Sequence, residues 1–279
     1  ARFLLGIGES GNFPAAIKTT AEWFPKKERA LATGVFNSGS NVGIIASALL
    51  VPFVAIHLGW RYAFLITGAL DLVWLGFWLA FYHRPEKQPR LSQAELNYIQ
   101  SDPPDPQERI PWRRLFPHRP TWAFCFGKFM TDPVWWFFAY WLSKFFDSTY
   151  HITLSGLVAP LVVIYVAADV GSVGGGWISS TLIHRGWSIN ASRKTAMLIC
   201  AFCVTPMMLA GYIHQMWLTT GMVALAAAAH QGWSANLFTL TSDTFPRRAT
   251  ASIVGLGGMF GAVGGMIAAF CIGHVLQAF

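Results

Sequence analysis

The feature that most constrains this chain is a series of long apolar runs that follow one another along almost its whole length. A helix needs about 20 predominantly apolar residues to cross a bilayer. Eight segments meet that description, at roughly 1–22, 30–56, 61–82, 121–146, 153–182, 195–213, 217–243 and 250–277. Only 12% of the residues are charged, about half of the ~25% typical of soluble domains. The sequence therefore predicts an all-α integral membrane protein, because 279 residues cannot hide so much apolar surface from water.

Basic residues are concentrated in every second gap between these runs. The gaps at 23–29, 83–120, 183–194 and 244–249 carry Lys and Arg, whereas those near 57–60, 147–152 and 214–216 carry none. Because basic loops stay on the cytoplasmic side of a membrane, we expect those four gaps to be cytoplasmic and the chain to lie in the inner (plasma) membrane. The net charge of +7 then follows from topology, and it indicates a lipid bilayer as partner, with no nucleic acid.

One polar stretch, residues 83–120, divides the chain. It holds eight prolines and seven Lys or Arg. Within it we predict a short amphipathic helix around Leu91–Gln100, with Ser92 as the N-cap and Glu95 at the capping-box position. The predicted parts are a helical half at 1–82, a cytoplasmic central loop at 83–120 and a second helical half at 121–279. The sequence opens inside an apolar run without an initiator Met, so we expect it to be a fragment.

An internal repeat relates the two predicted halves. With an offset of 221, Glu9–Ala48 aligns without a gap with His230–Ala269, and nine positions are identical. The identities include the Phe-Pro pair at 24–25 and 245–246, each followed by two basic residues. The same pair of helices thus occurs in each half in the same orientation. This requires an even number of helices per repeat unit, and here the number is six.

Several segments resemble a known family. They are Thr20–Arg29 (TAEWFPKKER) with Gly34–Gly39 (GVFNSG), Leu91–Leu96 (LSQAEL), Lys128–Phe138 (KFMTDPVWWFF), and His230–Asn236 (HQGWSAN) with Ser242–Pro246 (SDTFP). They are similar to the anion:cation symporter branch of the major facilitator superfamily, and the hexuronate transporters look closest. The resemblance implies two six-helix halves related by a parallel repeat. This chain would then carry about helices 4 to 11 and lack about helices 1 to 3 and 12.

Ionisable residues inside the apolar runs are candidates for function, because each costs at least ~2.5–3.5 kcal/mol at the centre of a span. Arg2 and Glu9 are two turns apart on one face of the first helix. Burial favours a neutral carboxyl group and a nearby arginine favours a charged one, so protonation of Glu9 can depend on whether an anion occupies Arg2. The resemblance assigns proton binding to Glu9. Helix packing through Arg2 or Asn12 is the alternative.

The Lys128–Phe138 segment offers a second set of candidates. Lys128 and Asp132 are at positions i and i+4, where they can neutralise each other, so they form either a structural ion pair or a substrate contact (Lys128) with a gating carboxylate (Asp132). Trp135, Trp136 and Tyr140 could stack on a sugar ring or belong to an interfacial belt. Their depth in the helix favours a cavity.

The predicted spans at 217–243 and 30–56 offer further polar candidates. His230, Trp233 and Asn236 follow an alanine run and provide donors, acceptors and an apolar platform for a sugar, or hydrogen bonds between helices. Asn37, Ser40 and Asn41 are similar candidates in the span at 30–56. Asp169 is expected to support the cytoplasmic gate through Arg185 or through a basic loop. Closely spaced glycines are predicted to bring the last helix near a neighbour, at positions 255, 257, 258, 261, 264 and 265.

Together these features predict a proton-coupled symporter that carries a sugar acid anion, expected to be galacturonate or glucuronate, by alternating access. Two alternatives stay open: a transporter of another organic anion such as the aldonate galactonate, or a non-transporting membrane sensor on the same scaffold. The sequence shows no recognisable set of catalytic or metal-ligating residues, so we expect no enzyme activity, no cofactor and no metal. The expected partners are the small anionic sugar, protons and the bilayer, and we expect a monomer.

Overall fold

The structure, a computed structural model, describes residues 2–103, 111–152 and 154–278, and the described residues form helices and turns without a strand. The helices are α1 (Arg2–Glu9), α2 (Asn12–Trp23), α3 (Lys26–His57), α4 (Trp60–Phe81), α5 (Gln93–Ile99), α6 (Trp112–Leu115), α7 (Arg119–Tyr150), α8 (Leu154–His184), α9 (Ile189–Val204), α10 (Met216–Thr244) and α11 (Arg247–Ala278). Two 3₁₀ segments, Pro85–Lys87 and Thr205–Tyr212, follow α4 and α9. Below, α1–α4 are termed the first bundle and α7–α11 the second bundle.

Five helical segments are long and apolar enough to cross a membrane: α3, α4, α8, α9 with its 3₁₀ extension, and α11. Helices α7 and α10 are also long enough, at 32 and 29 residues. They are not among the five, since polar side chains interrupt them. The predicted all-α, multi-pass membrane fold is therefore confirmed.

Two of the predicted spans differ in detail from the structure. The span at 1–22 is broken between α1 and α2, where the Ser10 hydroxyl donates to the carbonyl of Ile7 and Gly11 follows with its low helix propensity. The span at 195–213 begins earlier, at Ile189, where Ser188 caps the helix by accepting from the amide of Ala191. It continues as a 3₁₀ segment because Pro206 lacks the amide hydrogen that an α-helix needs.

The repeated Phe-Pro turns have the same geometry. Phe24 and Phe245 both leave the helix in extended conformation, with φ/ψ of −124°/135° and −107°/150°. The cause is local, because a residue that precedes proline avoids the helical region. Each turn starts a 32-residue helix, α3 in the first bundle and α11 in the second. The sequence repeat is thus also a structural repeat at this turn.

Helix α8 lies between α3 of the first bundle and α10 of its own bundle. Small residues permit this close packing: Gly171 and Gly175 lie against the backbone of α10, and Gly176 lies against the backbone of α3. Helix α11 contacts α2 and α7. The predicted close approach of α11 is confirmed at four of its glycines, which lie against α7 at positions 257, 261, 264 and 265, whereas Gly255 and Gly258 make no tight contact.

An apolar core joins the bundles near the helix ends that carry the basic gaps 23–29 and 244–249, which are termed the basic ends below. Ile17 of the first bundle is 1% exposed and belongs to the same cluster as Phe124, Phe238 and Ile253 of the second bundle. Phe13, in α2, stacks on Phe238 with ring centroids 5.3 Å apart. At the other end of the segment formed by α1 and α2, the side chains from Phe3 to Ser10, in α1 and directly after it, are exposed. The contacts described between the bundles therefore extend from the basic end to the middle of the helices.

Candidate functional site

Lys128 is a buried cation in the middle of α7. The residue is 6% exposed, and its Nζ lies 2.6 Å from Oδ1 of Asp132 and 4.3 Å from the ring centroid of Phe238. The predicted i, i+4 pairing is therefore confirmed. Because Phe238 stacks on Phe13 of the first bundle, the ammonium group lies close to the surface where the two bundles meet.

His230 of α10 lies beside this ion pair. Its Nε2 is 2.9 Å from the backbone carbonyl of Thr131, and since a carbonyl can only accept, Nε2 carries the hydrogen. In a neutral ring Nδ1 is then an acceptor, and this buried Nδ1 has no partner among the described residues. The imidazole is stacked on Trp135, at 5.8 Å between centroids and an interplanar angle of 14°.

Trp233 is one turn further along α10 and is partly buried against the apolar core. Its Nε1 is also buried without a hydrogen-bond partner in the described part of the chain. Buried donors and acceptors in proteins are nearly always paired, so an unpaired acceptor and an unpaired donor on one helix make this a candidate binding site. Five other buried side-chain atoms are also unpaired among the described residues: Thr33 Oγ1, Asn41 Oδ1, Ser180 Oγ, Asn236 Oδ1 and Asp243 Oδ1. Lys128, Asp132, Trp135, His230 and Trp233 are termed the α7–α10 patch below.

Trp136 and Tyr140 are not part of this patch. They are 42% and 68% exposed and stack on each other at 5.6 Å. With Pro133 and Gly265 they line a separate cavity of about 270 Å³ between α7 and α11. Successive residues of a helix point about 100° apart, so Trp135 faces α10 while Trp136 faces α11. Of the three predicted rings, Trp135 is the one that stacks on His230.

The asparagines of α3 are buried where the helices of the two bundles meet. Nδ2 of Asn37 donates to Oγ of Ser172 at 3.0 Å and to Oε1 of Gln231 at 2.8 Å. Nδ2 of Asn41 donates to Oδ1 of Asp169 at 2.8 Å. These bonds favour a role in helix packing. Gln231, which links α10 to α3, was not among the predicted candidates.

Two further candidates also differ in their surroundings from a sugar site. Asn236 is fully buried, and its Nδ2 donates to the carbonyls of Gly175 and Gly232 at 2.9 Å. This favours the interhelical alternative that the sequence left open. Ser40 is exposed, and its hydroxyl donates to the carbonyl of Asn37 at 2.7 Å.

The structure does not bring the expected gating partners Asp169 and Arg185 together. Arg185 is exposed beyond the end of α8. Sixteen residues separate the two positions along the chain, which corresponds to about 24 Å along a helix. Asp169 instead pairs with Asn41 across the bundles.

Glu9, the expected proton site, is exposed at the end of α1. Its predicted role in proton coupling stays a prediction. The side chain of Arg2 lies outside the described residues, so its predicted relation to Glu9 stays a prediction.

A second site, which the sequence analysis missed, is an ionic cluster at the basic end of the bundles. It consists of Arg29 (α3), Asp102 (central loop), Arg193 (α9) and Asp243 (α10). The two arginines are 2% and 0% exposed. Nε of Arg193 donates to Oδ2 of Asp243 at 2.9 Å, and Nη2 of Arg29 donates to Oδ2 of Asp102 at 3.0 Å. Such deep burial of two guanidinium groups requires nearby negative charge.

Both arginines reach across from one bundle to the other. Nη1 of Arg29 donates to the carbonyl of Ser242 at 2.7 Å and lies 3.9 Å from Oδ1 of Asp243. Nη2 of Arg193 donates to the carbonyl of Lys26 at 2.8 Å. The cluster therefore holds the basic ends of the bundles together.

The central loop is docked beside this cluster. Helix α5 has the predicted capping box, in which Ser92 and Glu95 bond reciprocally. The Tyr98 hydroxyl donates to the carboxylate of Glu28 at the start of α3, and this bond raises the pKa of Tyr98 to about 12. Nζ of Lys27 lies 4.7 Å from the Tyr98 ring centroid. The chain thus reaches Asp102 with α5 fixed against the first bundle.

Sequence comparison places this architecture in a family. Residues 1–269 match the sequence profile of the Major Facilitator Superfamily. The chain belongs to that superfamily. Its fold, with parallel repeats of helices and a polar pair of helices near the bundle interface, agrees with this membership.

Named relatives within the superfamily carry sugar acids. The chain is 30% identical to the hexuronate transporter of Escherichia coli K12, over 98% of this chain and 65% of that protein. It is 29% identical to the D-galactonate transporter of Escherichia coli O6:H1, over 100% and 67% of the two chains. It is 33% identical to the galacturonate transporter of Dickeya chrysanthemi, over 72% and 60%. The chain thus spans about two thirds of the length of these curated relatives. All three are transporters, in agreement with the prediction of a protein that is not an enzyme.

Proposed function

We propose that the full-length protein is a proton-coupled symporter of a sugar acid anion, with the hexuronates galacturonate and glucuronate as substrates. The observation that carries this proposal is the α7–α10 patch. It combines a buried ammonium group with aromatic rings and two ring nitrogens that have no partner among the described residues. The names of the relatives support a sugar acid as the ligand of such a patch.

The chemistry of the patch suits a carboxylated sugar. The carboxylate of the substrate would pair with Lys128, in competition with Asp132. The sugar hydroxyls would donate to Nδ1 of His230 and accept from Nε1 of Trp233, and an apolar face of the ring would lie on an indole. Charge-assisted hydrogen bonds are roughly twice as strong as neutral ones, so Lys128 is the main anchor and the ring nitrogens add selectivity for hydroxyls.

Transport would proceed by alternating access between two helical halves, 1–82 and 121–279, joined by the central loop 83–120. The ionic cluster would close the cytoplasmic side, with the basic loops in the cytoplasm and the protein a monomer in the inner membrane. Contacts between the bundles that extend from the basic end to mid-helix support a state closed on that side. In this scheme Glu9 and Arg2 couple the proton, and Asp132, Asp169 and Arg185 contribute to gating.

Uptake by the full-length protein in proteoliposomes tests this function. Radiolabelled galacturonate should accumulate when the outside is acidic, and a proton ionophore should abolish the accumulation. Unlabelled glucuronate should compete, while the neutral sugar galactose should not. Absence of uptake for every sugar acid tested, with folded protein in the membrane, would overturn the proposal.

The D-galactonate relative, aligned over the whole chain, favours one second candidate, an aldonate. Galacturonate can close into a ring that stacks on an indole, whereas galactonate is open-chain. Unlabelled galactonate and unlabelled galacturonate can be compared, at equal concentration, as inhibitors of the uptake of radiolabelled galacturonate. If galactonate inhibits more strongly, the substrate class is the aldonates and the ring-stacking part of the scheme is wrong.

A further inference from the structure

Asp169 is a carboxyl group in the interior of the second bundle. It lies halfway along the 31-residue helix α8 and is half-buried. Two other carboxyl groups in this interior each contact a cation, since Asp132 pairs with Lys128 and Asp243 pairs with Arg193. Asp169 forms no ion pair with any residue that the structure describes. A negative charge on it would therefore lack the compensation that the other two carboxylates have.

The described partner of Asp169 is the side-chain amide of Asn41, across the interface between the bundles. Nδ2 of Asn41 donates to Oδ1 of Asp169 at 2.8 Å. The same amide has an oxygen, Oδ1, which is buried and receives no hydrogen bond from the described residues. A carboxylate can only accept hydrogen bonds, whereas a protonated carboxyl group also has one O–H donor. A proton on Asp169 therefore supplies a donor beside the bond that is already made.

We propose that Asp169 is a proton-binding residue of the transport cycle, in addition to Glu9. Protonated Asp169 accepts from Nδ2 of Asn41 and donates to its Oδ1, so two hydrogen bonds join α3 and α8 while these helices are in contact. When the helices separate, both bonds are lost, the carboxyl group enters water, and its O–H bond breaks as the proton passes to a water molecule. This inference deepens the proposed proton-coupled transport and rests on it.

The direction of the coupling follows from linkage between proton binding and conformation. Because the proton adds a bond between the bundles, Asp169 binds it more tightly when the bundles are closed than when they are open. By reciprocity, acid favours the closed arrangement by the same factor. A single proton changes the ratio of closed to open populations by at most about tenfold per pH unit. With the basic ends in the cytoplasm, as proposed above, opening at that end releases the proton to the cytoplasm.

The other ionisable groups around α8 are engaged elsewhere or lie towards the helix ends. Tyr165 is one turn from Asp169 in α8, and His230 of α10 bonds to the backbone of α7. The remaining charged groups and histidines of α8 and the helices that contact it are His184 (α8), Lys26, Lys27, Glu28, Arg29 and His57 (α3), Arg119, Lys128, Asp132, Lys144 and Asp147 (α7), Arg193 and Lys194 (α9) and Asp243 (α10). In the described part of the chain, Asn41 is therefore the group that responds to protonation of Asp169.

Infrared difference spectra of the full-length protein in lipid vesicles, recorded on a change of pH, test the protonation without any substrate. A protonated carboxyl group has a carbonyl band that a carboxylate lacks, and this band shifts in D2O. Asp169→Asn should remove one such band. Asp147→Asn, a control at the exposed end of α7, should leave it. Identical bands in the wild type and in Asp169→Asn would overturn the proposal.

Distances between spin labels at His83 and Arg185, with native cysteines replaced, test the link to conformation. Both positions are exposed, just beyond the ends of α4 and α8. Asp169→Asn keeps both bonds to Asn41, since an amide also donates and accepts, but it cannot titrate. It should hold the closed population near the acidic wild-type level at every pH. Asn41→Leu removes both bonds and should lower the ratio of closed to open populations at acidic pH at least about fivefold.

Two results of the distance measurement would overturn the proposal. One is wild-type pH dependence in Asp169→Asn, because the titrating group would then lie elsewhere. The other is an equal loss of the closed population in Asp169→Asn and Asn41→Leu, because a purely structural contact would then explain both.

These outcomes are separable from those for the proposed function. A carboxyl band lost in Asp169→Asn, in a protein that takes up no sugar acid, supports the proton site and contradicts the transport proposal. Proton-driven uptake by a protein in which Asp169→Asn changes neither the bands nor the distances contradicts the proton site and leaves the transport proposal standing.

Discussion

Three consecutive glycines in α8 face three different surroundings. A Cβ atom on Gly174 would meet none of the described residues within 4 Å. On Gly175 it would lie 2.5 Å from Cα of Gly232, in α10 of the same bundle, and on Gly176 it would lie 2.9 Å from Cα of Leu31, in α3 of the other bundle. One methyl group moved along three positions therefore probes open space, packing within a bundle and packing between bundles.

The expected magnitudes follow from these distances. Carbon atoms pack best at about 3.5–4.0 Å, so a methyl group at position 175 requires α10 to move by about 1 Å. Overpacking of this kind costs ~1–3 kcal/mol, partly offset by the ~0.5–1 kcal/mol that alanine gains over glycine inside a helix. We expect Gly175→Ala to lower the free energy of unfolding by about 1–2 kcal/mol, and Gly174→Ala to raise it by about 0.5–1 kcal/mol.

Gly176→Ala should behave differently from both. Its methyl group meets the backbone of α3, and the bundles can separate without unfolding. The strain should therefore appear as an increased open population at the basic end, with a smaller change in stability than in Gly175→Ala.

Two measurements on the purified full-length protein decide between these outcomes. Unfolding in detergent, followed by intrinsic fluorescence, gives stability, and spin-label distances between the bundles give the degree of opening. Equal stability of Gly174→Ala and Gly175→Ala would refute the inferred contact between α8 and α10. An unchanged distance distribution in Gly176→Ala would refute the corresponding contact with α3.

Four further predictions concern the candidate site and the loop. Lys128→Met should raise the half-saturation concentration for galacturonate at least about tenfold, whereas Lys144→Met, on the exposed end of α7, should not; equal effects would remove Lys128 from the site. Trp233→Phe, which keeps an aromatic ring but loses the Nε1 donor and part of the indole, should raise the half-saturation concentration about fivefold. Trp177→Phe, on the exposed surface of α8, is its control. Glu9→Gln should retain substrate counterflow and lose accumulation driven by a proton gradient; retained accumulation would exclude Glu9 as the coupling residue. The bond to Glu28 raises the pKa of Tyr98 from 10.0 to about 12. Docking of the loop should therefore persist below pH 10 and be lost as the pH rises towards 12. A difference ultraviolet titration against Tyr98→Phe should show one phenol titrating in that range.

The elements of the fold could be predicted from local sequence. Long apolar runs, Phe-Pro turns and the capping box of α5 each depend on residues close together in the chain. They appear in the structure where they were expected, except that the span at 1–22 is broken and the span at 195–213 begins earlier. The break at Ser10–Gly11 was missed because an apolar run hides a local hydrogen bond and a weak helix former.

The site was only partly predictable, for two physical reasons. In a membrane helix several faces are apolar, so composition does not give its rotation, and Trp135 and Trp136 are equally plausible until the neighbours of α7 are known. Asparagine serves substrates and helix interfaces with the same amide group, so burial decides between the roles, as it does for Asn37 and Asn236. The ionic cluster depends on Arg29 and Asp243, which are more than 200 positions apart in the chain.

The polarity of α7 has a consequence for how the protein enters the membrane. A lysine and an aspartate placed separately would each oppose insertion by ~2.5–3.5 kcal/mol. Lys128 and Asp132 lie one turn apart in a single helix, with 2.6 Å between their charged atoms, so they can neutralise each other as soon as that helix forms and before a neighbour is present. His230 and Trp233 of α10 have no such partner within their own helix. We therefore expect α7 to be stable in the bilayer before its neighbours insert during synthesis, whereas α10 should insert stably only beside helices that are already in place.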